Sequence, residues 1–87
     1  MLIEKKLTIQ NEQGLHARPA AIFVQIANKY ESDIVVKKGR QEVNGKSIMG
    51  LLTLAAEKGS KIYIKVNGPD AKEAIFELEK VILGEAP

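Results

Sequence analysis

Lys61-Ile62-Tyr63-Ile64-Lys65-Val66-Asn67-Gly68-Pro69-Asp70-Ala71 decides the fold. Ile62, Ile64 and Val66 alternate with Tyr63 and Lys65, the two-residue period of a strand with one apolar and one wet face. Asn67-Gly68-Pro69 then breaks the strand. Asp70 opens a helix in which Ala71, Ala74, Ile75, Leu78, Val81 and Ile82 form an apolar stripe to about residue 83. Asp70 and Glu73 read as a capping box. A strand wet on one side belongs in an antiparallel sheet whose other face is covered.

The same signals recur upstream. Ile3, Leu7 and Ile9 oppose Glu4, Lys6 and Thr8, and Ile34 and Val36 repeat the alternation. Lys38-Gly39-Arg40 separates 34–37 from 41–43 and reads as a hairpin turn. A first helix spans about 17–29, with Ala20, Phe23, Ala27 and Tyr30 at helical spacing and Pro19 in the first turn, where a missing N–H is tolerated. A second, short helix spans about 47–57, with Gly59 as its stop. The order β-α-β-β-α-β-α predicts an α+β fold, helices on one side of the sheet and water on the other. Residues 1–87 are read as one domain, with 84–87 frayed at its end.

Composition narrows the function. Hydrophobic residues make up 45% of the 87, enough for one core. Cysteine is absent, as suits a reducing compartment. The chain opens on charged residues where a signal peptide needs an apolar stretch, and no apolar run approaches the ~20 residues of a membrane span. A cytoplasmic protein without membrane insertion is expected. Net charge is +2, with lysines scattered rather than massed, and the aromatics are two Phe, two Tyr and no Trp. Nucleic-acid binding would want a tighter basic patch and stacking platforms.

The chemistry lies in Gly14-Leu15-His16-Ala17-Arg18-Pro19-Ala20. His16 is the sole histidine. Imidazole is a nucleophile near neutral pH, guanidinium binds phosphate in a planar fork, and a helix start offers unpaired N–H groups and a positive dipole end. Ala17 and Arg18 would supply those N–H groups. The combination suits a side chain that accepts a phosphoryl group and passes it on. The competing reading is a histidine that merely caps the helix or decorates the surface. No second His, no Cys and no suitably spaced carboxylate stands beside His16, so neither a metal centre nor a bound cofactor is expected. Nothing places the partners of a hydrolytic triad.

Lys46-Ser47-Ile48-Met49-Gly50 opens the second helix. Ser47 reads as its N-cap, a role compatible with phosphorylation, since a phosphate there meets the helix dipole. Ile48, Met49 and Leu52 form a candidate exposed apolar patch while Leu51, Leu54 and Ala55 face the core. The alternative buries all of them.

Both segments resemble those of the histidine-containing phosphocarrier (HPr) family of the bacterial sugar phosphotransferase system, and the resemblance spans nearly the whole chain. It implies an open-faced β-sandwich, a four-stranded antiparallel sheet covered on one side by three helices. It also implies that His16 takes phosphate at Nδ1 from enzyme I and hands it to enzyme IIA domains, with Arg18 stabilising the group in transit. HPr kinase/phosphorylase would act on Ser47, and the serine-phosphorylated form would meet a catabolite-control transcription factor. Ala21, Val24, Ile48, Met49 and Leu52 match the family's docking surface, and a monomer is expected. Relatives whose active histidine is replaced act only as regulators. His16 is present here, which disfavours that reading and leaves a mainly regulatory protein, acting through Ser47 phosphorylation and transcription-factor binding, as the alternative.

Overall fold

The structure is a computed structural model and describes residues 1–84; residues 85–87 of the expected frayed tail lie outside the described residues. The elements are β1 (Leu2–Thr8), α1 (Ala17–Ala27), β2 (Asp33–Lys38), β3 (Gln41–Asn44), α2 (Ile48–Leu54), β4 (Lys61–Asn67) and α3 (Ala71–Ile82). The four strands form one sheet in the order β1-β4-β2-β3. Every neighbouring pair is antiparallel, running from Leu2↔Asn67 to Thr8↔Lys61 between β1 and β4 and from Asp33↔Asn67 to Lys37↔Tyr63 between β2 and β4. The β2–β3 hairpin turns on two residues, Gly39 and Arg40, with Lys38 paired to Gln41. Gly39 has φ +60, the conformation a tight hairpin asks of its first central residue.

Alternation holds where the sequence shows it. Ile34, Val36, Ile62, Ile64 and Val66 are buried, whereas Lys61, Tyr63, Lys65 and Asn67 are exposed. The helices cover the buried face and leave the other to solvent. Lys5 departs from the pattern, standing between Ile3 and Leu7 on the helix side. It reaches Glu79 of α3 at 2.9 Å, so the covered face carries an ion pair at its rim. All six stripe residues of α3 are buried, and Phe23, Leu15, Leu51 and Leu54 close the same core. Each large apolar side chain removed from water contributes about 1.5–3 kcal/mol.

Four local expectations are corrected. Asp70 does not close a capping box, because its carboxylate turns back to the α1–β2 connection. It accepts from the Ser32 hydroxyl at 2.5 Å and from the backbone N–H groups of Ser32 and Glu31 at 3.0 and 2.9 Å. The Ser32 hydroxyl, then the Glu31 amide, hold the Asp70 carboxyl below its ordinary range. α2 ends at Leu54 rather than near 57, since Ala55 takes a left-handed conformation, φ 50, while Gly59 serves the turn into β4. Ala55 is accordingly exposed, and Ala56 takes the buried place. α1 ends at Ala27 with Asn28 as its C-cap, the backbone N–H and the side-chain amide of Asn28 both donating to the Val24 carbonyl at 2.9 Å.

Across the α1–α3 side, the Tyr30 hydroxyl donates to Glu77. Desolvation first, and the hydrogen bond to Glu77 second, push this phenol up to about 12.

Candidate functional site

The His16 loop is set by its predecessors. Gly14 has φ +70, and a Cβ there would fall 2.3 Å from the Ala56 carbonyl oxygen. That approach lets the Leu15 N–H donate to Ala56 O at 2.8 Å while the Leu15 side chain is fully buried. Ile9 and Ser60 tie the same two loops together, with Ile9 N to Ser60 O and Gly59 N to Ile9 O both at 2.9 Å. An exposed Glu12–Lys58 pair at 2.5 Å spans them as well and lowers the Glu12 carboxyl, though such surface pairs add little stability. With Leu15 anchored inward, the chain turns out at His16.

His16 is the N-cap of α1, with φ −120 and ψ 159, and is exposed. Its ring makes no capping bond, which removes the reading of a histidine that serves the helix. Ala17, the first helical residue, has φ +43. A non-glycine residue in the left-handed region costs ~1–2 kcal/mol, the kind of local strain found at functional sites. Arg18 is exposed, and no ion pair holds it among the described residues. The first turn of α1 has no acidic side chain. A helix leaves its first N–H groups without intrahelical partners, and Pro19 has none to offer. The start of α1 therefore presents an imidazole that makes no capping bond, the Ala17 and Arg18 amides and one exposed cation on the same turn.

Ser47 stands at another helix start and behaves differently. It caps α2 with its own hydroxyl, which accepts from Gly50 N at 3.0 Å. The preceding Lys46 is tethered: its ammonium donates to Tyr30 O at 2.7 Å, and its carbonyl accepts from Asn28 Nδ2 at 3.4 Å. Ser47 thus lies at the C-terminal end of α1, and the Leu15–Ala56 bond places the far end of α2 beside the N-terminal end of α1. The two helices run antiparallel, with His16 and Ser47 at opposite ends. The 11 residues of α1 separate them by ~16 Å.

Between the two sites lie the remaining residues singled out from the sequence. Ile48 is 37% and Met49 69% exposed, with Leu52, Ala21 and Val24 half-buried. Leu51 and Leu54 take the core side of α2. The structure therefore divides this short helix between inside and outside rather than burying all of its apolar residues. The Ala55–Ala56 segment, which holds the His16 loop through Gly14 and Leu15, carries no sequence signal. Neither alanine marks a left-handed turn or a loop contact.

Comparison with known proteins agrees with this geometry. Residues 3–83 match the family model described as PTS HPr component phosphorylation site. The HPr-like protein Crh of Bacillus subtilis is 39% identical over 84 residues, covering 97% of this chain and 99% of that protein. The crystal structure of a phosphocarrier protein HPr from Bacillus anthracis superposes with a TM-score of 0.90 at 43% identity, over 93% of this chain and 96% of that one. An HPr dimer from Thermoanaerobacter tengcongensis superposes at 0.76 with 44% identity over 91% of each chain. Dimers thus occur among similar proteins, and kinship alone does not establish the monomer expected from the sequence. Matched along nearly its whole length in sequence and in fold, the chain belongs to the PTS HPr family.

Proposed function

We propose that this protein relays a phosphoryl group through His16. The observation that carries the reading is an exposed imidazole at a helix start, without a hydrogen-bond partner among the described residues, with Arg18 in the same turn. In the forward step the neutral Nδ1 attacks phosphorus on the phosphohistidine of enzyme I. A P–N bond forms to His16 as the P–N bond to the donor ring breaks; the donor imidazole keeps the electron pair and takes up a proton, while the His16 ring gives up its Nε2 proton to solvent, so the two balance. Alignment and charge stabilisation carry such a transfer. Arg18 and the Ala17 and Arg18 amides meet the phosphoryl oxygens.

A carrier must release what it holds, and tight binding of the loaded form would raise the next barrier. One flexible cation and a first turn lacking the Pro19 N–H give a weak clamp. Transfer onward to an enzyme IIA histidine repeats the displacement in reverse. The protein works in the cytoplasm, as a monomer, without a bound cofactor.

Ser47 is the proposed regulatory site, modified by HPr kinase/phosphorylase. A phosphate there adds about −1.5 to −2 charge. At ~16 Å from His16, beyond a Debye length of ~8 Å, it acts on the docking strip rather than on the ring. Ala21, Val24, Ile48, Met49 and Leu52 form that strip, shared by enzyme I, enzyme IIA domains and a catabolite-control transcription factor.

Phosphoenolpyruvate with enzyme I should place acid-labile label on the wild type and none on His16→Ala, while the kinase places acid-stable label on Ser47. Acid-stable label alone from phosphoenolpyruvate would overturn the histidine assignment. Similarity to Crh, a protein described as a catabolite repression HPr, favours a second, mainly regulatory reading. Regulation that survives His16→Ala but not Ser47→Ala would select it.

A further inference from the structure

The dipeptide Asn-Gly occurs twice, as Asn44-Gly45 at the end of β3 and as Asn67-Gly68 at the end of β4. It is open to spontaneous deamidation, because glycine puts no side chain in the way of its own nitrogen as that nitrogen turns onto the asparagine side chain. Asparagine counts among the thermolabile residues. As sequence the two copies are equivalent, and the fold treats them differently.

Asn44-Gly45 is closed on several sides. Gly45 is buried, and its N–H donates at 2.7 Å to the carbonyl of Ile34, a residue only 2% exposed. The Asn44 side-chain oxygen accepts from Lys46 N at 2.9 Å, and the Asn44 carbonyl accepts from Ser47 N at 3.0 Å. Lys46 in turn is tied to Tyr30 and Asn28. Asn67-Gly68 is more open. Asn67 is exposed, Gly68 is half-buried, and the Asn67 side chain has no hydrogen-bond partner among the described residues. The Gly68 N–H donates at 2.9 Å to the carbonyl of Met1, a residue 72% exposed beside the edge strand β1. Leu2↔Asn67 is the outermost pair of the β1–β4 ladder. Solvent-exposed bonds at the end of an edge strand open at much lower free energy than bonds to the core.

We propose that Asn67 is a site of spontaneous deamidation, with water as the only co-reactant, and that the fold protects Asn44. When the Met1–Gly68 bond opens, Gly68 N gives up its proton and bonds to Asn67 Cγ. The bond from Cγ to the side-chain nitrogen breaks, and that nitrogen leaves with the proton as ammonia. Water then opens the resulting succinimide. Its hydroxyl joins one of the two ring carbonyl carbons, and its proton returns to Gly68 N. Opening at Cγ gives aspartate. Opening at the backbone carbonyl carbon gives isoaspartate, whose main chain is longer by one methylene. Either product sets a carboxylate beside Asp33, the cross-strand partner of Asn67, and like charges directly opposite destabilise a sheet. Isoaspartate also displaces Gly68 from Ser32, against which it packs so closely that a Cβ would fall 2.4 Å from the Ser32 hydroxyl oxygen. The modified chain should therefore melt at a lower temperature.

The test incubates the full 87-residue protein, folded, in mildly alkaline buffer and follows tryptic peptides 41–46 and 66–72 by mass spectrometry. Amide-to-acid conversion in 66–72 should run about tenfold or more ahead of that in 41–46, and the Gly68 amide should exchange its hydrogen faster than the Gly45 amide by a similar factor. In urea that unfolds the chain the two conversion rates should converge. An isoaspartyl carboxyl methyltransferase should label the aged wild type and leave aged Asn67→Gln largely unlabelled. Asn67 is exposed, so this variant should fold, and an unchanged melting curve confirms it. Phosphoryl exchange at His16 should be unaffected by Asn67→Asp, which keeps this result separate from the carrier reading. Four results would each overturn the proposal: conversion of 41–46 as fast as 66–72 in the folded protein, no conversion of 66–72 in the time that urea converts both, a rate difference that persists in urea, or a Gly68 amide as protected as that of Gly45.

Discussion

The starts of α1 and α2 are built from the same backbone plan and put to opposite ends. Both N-caps, His16 and Ser47, have extended conformations that let a side chain reach the first turn. Ser47 uses that reach and closes on Gly50 N, whereas His16 leaves its turn open. A helix start that satisfies itself is a structural feature. One that leaves amides, dipole and an imidazole facing water is a site for an incoming anion. The strain follows the same division, since α1 begins on a left-handed Ala17 and α2 does not.

Replacing the open cap breaks the comparison most completely. His16→Ser should abolish acid-labile labelling from phosphoenolpyruvate and enzyme I, and should raise stability in urea by about 0.5–1 kcal/mol by supplying the missing cap. Retained labelling would place the acceptor elsewhere. Next comes the anchor beneath the loop. Gly14→Ala meets both a positive φ and the Ala56 carbonyl, so a loss of about 2–4 kcal/mol is expected in chemical denaturation, with slowed exchange. Wild-type stability would mean that the two loops part easily.

Arg18→Ala should cut the exchange rate with enzyme I by about a hundredfold while leaving stability within ~0.5 kcal/mol, since Arg18 is exposed and holds no partner among the described residues. On the closed cap the pattern inverts. Ser47→Ala should cost ~1 kcal/mol of stability yet leave His16 labelling intact, and Ser47→Asp should slow exchange while keeping the helix capped. Equal effects of the two on exchange would dissociate the docking strip from charge at Ser47.

The smallest effect belongs to the third helix start. The Asp70 carboxyl is held below its ordinary value by hydrogen bonds from Ser32 and Glu31. A depressed folded-state value means stability that is present above the unfolded value of ~3.9 and is lost as pH falls through the folded one. Asp70→Asn should therefore flatten the decline in melting temperature below about pH 4. An unchanged acid limb would assign that decline to other carboxyls.

Much of the fold was legible because burial imposes periods. Ile62, Ile64 and Val66 could alternate only on a half-wet strand, and the α3 stripe could cover only an apolar face. The pairing of an imidazole with Arg18 at a helix start was equally legible, being a matter of residue type and adjacency. Asp70 shows the limit. Its spacing to Glu73 suits a capping box, but Ser32, 38 residues away, competes for the same carboxylate and wins. The end of α2 was hidden for a similar reason. Gly59 carries the usual signal for a stop, while the left-handed residue is Ala55, next to the Ala56 carbonyl that takes up Leu15.

The chain by itself determined the element order, the wet and dry faces of each strand and the pairing of an imidazole with a guanidinium at a helix start, because these follow from local chemistry and from the repeat of apolar residues. Only the folded molecule decided that His16 leaves its helix uncapped and that Ser47 sits at the other end of an antiparallel helix pair. Each of those outcomes depends on which distant group takes a given hydrogen bond or charge, and that competition is settled in three dimensions.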